Sequence, residues 1–134
     1  MLENTEKPGW LGEVLDGATT IWENWEGPFN TQGAGLGSLN HYSKGAVCRW
    51  IFDTMCGIRI KGENRFEIAP HPGGTLTHAS AAYTSIYGKV ESKWEKTDAG
   101  ITYTVTVPAG CEALVCLPDG SSRAQSAGTA TYTL

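Results

Sequence analysis

The sequence predicts an α+β fold, helical in its first part and an antiparallel β-sandwich after it. Two observations predict it. Up to Ile60 apolar residues recur at helical spacing, and beyond Ile60 the period becomes two. Asp98-Ala99-Gly100, Pro108-Ala109-Gly110 and Pro118-Asp119-Gly120 then punctuate the second part at hairpin spacing. A chain of 134 residues is long enough for one ordinary domain, or for a small helical piece joined to a small β domain. The corresponding division is 1–60 and 61–134.

In chain order, Trp10, Leu11, Val14, Leu15 and Ala18 form the stripe of a first amphipathic helix that stops at Gly17. A connection from Thr19 to Gly37 follows. It carries Trp22, Trp25 and Phe29 among Gly27, Pro28, Gly33, Gly35 and Gly37, so it is too aromatic to be only a solvated linker. Val47, Trp50, Ile51 and Ile58 mark a second helix, capped by Ser38 or Asn40 and ended at Gly57 in the left-handed conformation. From Lys89 to Glu95 the charges Lys89, Glu91, Lys93 and Glu95 alternate with Val90, Ser92 and Trp94, as a strand with one wet face requires. Ile101 to Val107 and Ala113 to Leu117 read as two further strands. Phe66–Ile68, Thr75–Tyr83 and Thr129–Thr133 bring the number to about six. Trp94, Tyr83, Tyr87 and Tyr103 are expected in the sandwich core.

Composition narrows the function. At 40% hydrophobic and 18% charged residues, the chain can bury a core. Its formal charge of -4 offers no basic stripe for nucleic acid or an anionic membrane. No apolar run reaches the roughly 20 residues of a membrane helix, and the first residues do not read as a signal peptide. Cys48, Cys56, Cys111 and Cys116 show no CxxC spacing and read as reduced, buried hydrophobes, which favours a cytoplasmic setting.

The residues with chemical potential lie in the helical part. Glu23 stands between Trp22 and Trp25, an arrangement suited to carbohydrate: an indole stacks on the apolar face of a sugar, and a carboxylate accepts from hydroxyls or activates water. The same residue types also describe a solvated loop acid beside two core anchors. His41, near the start of the second helix, is either a ligand contact or a structural hydrogen bonder. His71 and His78 flank Pro72-Gly73-Gly74 without a third ligand, so no metal site is expected, and no cofactor. The glycines at 33, 35 and 37 lack the strand and the Gly-Lys-Ser/Thr of a phosphate loop.

The run Gly17-Ala18-Thr19-Thr20-Ile21-Trp22-Glu23-Asn24-Trp25 and the run Ser38-Leu39-Asn40-His41-Tyr42 resemble the C-terminal end of bacterial alpha-L-rhamnosidases. Pro70 to Gly74, Tyr87 to Trp94 and Val105 to Pro118 resemble that family's closing β domain in the same order. The resemblance implies the end of an (α/α)6 barrel followed by a β-sandwich, in enzymes that hydrolyse terminal alpha-L-rhamnosyl bonds with inversion. It implies Glu23 as the general base, His41 as a rhamnose contact, and Trp22 and Trp25 as lining of the same pocket. Inversion also needs a carboxylic acid roughly 6.5–9.5 Å from the base. The family carries it in segments preceding this stretch. Glu13, Asp16 and Glu26 are not assigned to that role.

The implied ligand is therefore a rhamnose-containing glycoside, and the chain alone is expected to be inactive. A non-catalytic carbohydrate-binding β-sandwich module is the competing reading, and a different (α/α)-barrel hydrolase family a third. Two helices cannot enclose a core, so their apolar stripes are expected to be exposed and to drive self-association.

Overall fold

The computed structural model describes residues 2–27 and 37–134. Phe29 and the glycines at 33 and 35 lie outside the described residues. The chain divides into two compact units, Met1–Cys48 and Arg49–Leu134.

The first unit opens on turns that wrap the start of helix α1 (Trp10–Leu15). Gly12 donates to the Asn4 carbonyl at 3.1 Å, and a Cβ at Gly12 would stand 3.1 Å from the Glu6 carbonyl oxygen. Only a residue without a side chain leaves that approach unstrained. Gly17 follows the helix at φ 92, as the expected stop requires. The apolar stripe of α1 is exposed at its second half, as expected of helices that cannot enclose a core. Gly12 and Glu13 are buried, whereas Val14 is 59% and Leu15 65% exposed.

The second helix differs more. Instead of one continuous helix there are two short turns, α2 (Tyr42–Gly45) and α3 (Val47–Trp50), and then a π-helical turn over Ile51–Met55. Gly45 and the β-branched Val47, Ile51 and Thr54 are poor material for a long helix. His41, in extended conformation, is the residue that precedes α2, and no side chain caps it. Instead the Asn40 backbone N–H donates to Ser38 Oγ at 3.2 Å. Gly57 ends the π turn at φ 75, as expected.

The second unit is built on six strands: β1 (Ile58–Ile60), β2 (Arg65–Ile68), β3 (His78–Ser85), β4 (Gly88–Thr97), β5 (Gly100–Cys116) and β6 (Ser122–Thr133). Strand β1 lies where the sequence suggested the end of a helix. All six share one hydrogen-bonded sheet in the order β1-β2-β5-β4-β3, with β6 on β5. The two strands expected on either side of Pro108-Ala109-Gly110 are the single strand β5. Proline cannot complete a ladder, and the chain answers with a bulge between Val107 and Glu112 rather than a hairpin. The bulge lets the first half of β5 pair with β4 and the second half with β2, so the sheet curls. The β2–β5 pairing is parallel, which a purely antiparallel arrangement does not contain.

Alternate residues of these strands meet in one hydrophobic core that includes Phe66, Ile68, Val90, Trp94, Tyr103, Val105 and Val115. On β4 the buried set is Val90, Ser92 and Trp94, as the alternation predicts. Two polar groups of this face reach the chain just before β1: Trp94 Nε1 donates to the Met55 carbonyl at 2.9 Å, and Ser92 Oγ donates to the Cys56 carbonyl at 2.6 Å. They satisfy carbonyls at the end of the π turn. Tyr103 is buried, but Tyr83 and Tyr87 are 38% and 39% exposed and are not core residues.

All four cysteines are free. Cys56 and Cys111 are buried as expected, Cys116 is partly covered and Cys48 is exposed. His71 Nδ1 bonds the Ala69 carbonyl and His78 Nδ1 bonds Thr77 Oγ1. Among the described residues no group of three or more His, Cys, Asp and Glu could hold a metal ion.

Candidate active site

The first unit holds a compact arrangement around Glu23. Two short stretches, Ile21 to Glu23 and Ser38 to His41, run against each other through backbone hydrogen bonds. Glu23 N–H donates to the Ser38 carbonyl and His41 N–H to the Ile21 carbonyl, each at 2.8 Å. Thr20 Oγ1 adds a bond to the Leu39 carbonyl. This pairing places Glu23 and His41 side by side although 18 positions separate them in sequence.

The carboxylate is held as well as the backbone. Ser38 N–H donates to Glu23 Oε2 at 2.7 Å, and His41 Nδ1 lies 3.9 Å from the same oxygen. A charge-assisted bond from a fixed amide orients a carboxylate. The site still opens to solvent: the side chains of Glu23 and His41 are 44% and 30% exposed. A carboxylate held by one oxygen at an accessible surface can accept a proton from water, and the imidazole beside it can bond a hydroxyl. Tyr42 stacks on His41 with ring centroids 5.9 Å apart.

Both tryptophans are partly buried in the same unit. A Cβ added at Gly27 would stand 3.4 Å from Trp22 Cζ3, so Trp22 packs against backbone there. Trp25 meets Trp10 edge-on at 5.8 Å. Over the ring of Trp25, 3.4 Å from its centroid, sits Lys44 Nζ. The same ammonium lies 3.0 Å from Glu13 Oε1. Glu13 is 2% exposed and Lys44 is its ion-pair partner.

This cluster of Glu13, Lys44, Trp25 and Trp10 was not legible in the sequence. Glu13 stands three residues after Trp10 and so lies near it on the helix, but it is a charged residue outside the apolar stripe of Trp10, Leu11, Val14 and Leu15. Lys44 lies on a four-residue turn with no apolar stripe of its own. The other acids considered also pair with a lysine: Lys7 Nζ lies 2.9 Å from Asp16 and 3.7 Å from Glu26.

The second unit carries a surface cleft of about 470 Å³, lined by Arg49, Phe52, Asp53, Arg59, Lys61 and Tyr83 among others. Its cations are already matched, Arg49 with Asp53 and both Arg59 and Lys61 with Glu67.

Comparison with known proteins finds a family match for each part of the chain. Residues 1–55 match the model of the bacterial alpha-L-rhamnosidase 6 hairpin glycosidase domain, and residues 60–131 match that of the bacterial alpha-L-rhamnosidase C-terminal domain. An alpha-L-rhamnosidase of Formosa agariphila is 33% identical over 99% of the chain, and one of Streptomyces avermitilis is 33% identical over 93%. The chain spans 15% and 13% of the lengths of these two relatives. Among solved structures, the native enzyme of Aspergillus terreus superposes with a TM-score of 0.85 at 30% identity, covering 100% of the chain and 16% of that protein. The Streptomyces avermitilis enzyme complexed with L-rhamnose superposes at 0.82 with 27% identity, covering 99% and 15%.

Proposed function

Because the chain belongs to the alpha-L-rhamnosidase family, we propose that it is the part of an inverting alpha-L-rhamnosidase that supplies the general base. In this reading residues 1–60 are the closing helices and active-site loop of the catalytic barrel. Residues 61–134, which carry most of the curled sheet, are the C-terminal β-sandwich domain. Glu23 deprotonates the attacking water. His41 holds a rhamnose hydroxyl, and Trp22 and Trp25 wall the pocket. The substrate is a terminal alpha-L-rhamnoside.

The observation that carries this reading is the fixed pair Glu23 and His41, brought to 3.9 Å by the backbone pairing of 21–23 with 38–41. An inverting enzyme needs a base that stands across a water from the anomeric carbon, and a second carboxyl on the other side of the sugar. Within this chain Glu13, Asp16 and Glu26 are each committed to a lysine. By family resemblance the acid lies in barrel segments preceding this stretch, so in this reading the chain alone does not hydrolyse glycosides.

The test is turnover of 4-nitrophenyl alpha-L-rhamnoside by the complete enzyme, its Glu23→Gln variant and this chain. Removing a general base lowers kcat by about 10²–10⁴, and the isolated chain is expected to be silent. Unimpaired turnover by Glu23→Gln takes Glu23 out of the mechanism. Robust release of nitrophenol by the chain alone refutes its incompleteness.

A second reading, a non-catalytic carbohydrate-binding module, draws support from the half-exposed Phe52 and Tyr83 beside the cations of the second unit's cleft. It requires measurable rhamnoside affinity in the isolated chain that Tyr83→Ala removes and Glu23→Gln leaves intact.

A further inference from the structure

We infer that Lys44 is a positioning residue for the Glu23–His41 pair, acting through its simultaneous hold on Glu13 and Trp25. The inference rests on the base assignment above and names what sets that base's geometry. Two parallel connections cross the same pair of segments. Glu23 reaches His41 at 3.9 Å; two residues after Glu23, Trp25 receives Lys44 over its ring at 3.4 Å, and Lys44 lies three residues after His41. The second connection continues inward, because Lys44 Nζ also lies 3.0 Å from Glu13 on α1.

The burial of this second connection is what makes it a fixed point. Glu23 and His41 sit at an open surface, where a polar contact at 3.9 Å by itself holds little. The side chains of Lys44 and Glu13 are only 15% and 3% exposed. A carboxylate removed from water must keep its partner, and an ammonium over an indole face is held from a second direction. Trp25 is braced in turn by the edge of Trp10. One cation thus ties α1, the loop after Glu23 and the turn after His41, and it leaves His41 little freedom to move away from the carboxylate. Catalysis by a positioned base is sensitive to such displacement: a shift of about 1 Å costs on the order of 10²-fold in rate.

The experiment uses the complete enzyme with the aryl rhamnoside. In K44M and in the charge-neutral pair E13Q/K44M, kcat/KM is expected to fall about 100-fold. E13Q/K44M should keep the parent's melting temperature within a few degrees, since no buried charge is left unpaired. In the Glu23→Gln background, K44M should add less than about twofold, because a residue that acts through the base has nothing left to position.

Full turnover in a folded E13Q/K44M variant would overturn the inference, as would an undiminished hundredfold loss from K44M in the Glu23→Gln background. If K44M does not fold, K44R decides. A guanidinium can still pair with Glu13 and stack on Trp25, so turnover within about tenfold of the parent supports the role and a hundredfold loss in a folded K44R refutes it. The two readings fail separately. An active Glu23→Gln enzyme sinks the base assignment, whereas an inactive Glu23→Gln beside a fully active E13Q/K44M sinks only the role of Lys44.

Discussion

Gly57→Ala is the most exacting test of how the second unit is held together. Gly57 adopts φ 75, and a Cβ built there would overlap the Ala69 carbonyl group and the Pro70 nitrogen. Three costs follow. The left-handed conformation alone costs an alanine about 1–2 kcal/mol. The overlap is with backbone, which cannot rotate away as a side chain would, and forcing an extra methyl into a packed site costs about 1–3 kcal/mol. Any shift of the strand also stretches the 2.9 Å bond from Ala69 N–H to the Gly57 carbonyl, worth about 1 kcal/mol net. Together we expect a loss of about 3–6 kcal/mol, a large part of a small domain's whole stability. The assay is denaturant unfolding of the chain followed by the circular dichroism of the sheet. Gly73→Ala is the matched control: its φ is not positive and nothing lies within 4 Å of the added Cβ, so it should change stability by less than about 0.5 kcal/mol. A Gly57→Ala protein within about 1 kcal/mol of its parent would show that the junction of the π turn and β1 is not closed by backbone contact.

Trp94→Phe should cost about 2–3 kcal/mol in the same assay, because it opens space in a fully buried site and strips the Met55 carbonyl of its donor; a change below about 0.5 kcal/mol would contradict that account. Glu67 titrates below its ordinary value of 4.5, chiefly through its bond with Lys61 and then that with Arg59. Because its folded pKa is the depressed one, its contribution to stability is present above the unfolded value and is lost as pH falls through the folded one. Urea midpoints between about pH 5 and pH 3 should therefore fall less steeply for Glu67→Gln than for the parent, and parallel profiles would remove Glu67 from the acid response. The first unit exposes Val14, Leu15, Leu39 and Tyr42, so the isolated chain should self-associate and Leu15→Lys should reduce it, as read by light scattering at rising concentration. A monodisperse parent at all concentrations would count against that.

Much of this protein was determined by local sequence. The change of period near Ile60 separates the two kinds of structure, because a helix and a half-buried strand present side chains at different intervals. Alternation along β4 correctly selected Val90, Ser92 and Trp94 as its buried face, and Gly57 as a stop follows from the one residue that takes a positive φ at little cost. The runs around Glu23 and His41 carried the family resemblance. Only the tertiary structure decided the rest. Periodicity says which face of a strand is buried but not which strand lies beside it, so the parallel β2–β5 pairing and the continuity of β5 through Pro108 were invisible locally. The expected helix over the forties and fifties is instead a series of short turns, and the carbonyls at its end bond donors on β4, 36 and 39 residues away. Glu13 and Lys44 stand 31 positions apart, and no local pattern links them. They become a buried pair only when the chain folds back on itself, because the free energy of burying a charge depends on the partner it meets and not on its neighbours in sequence.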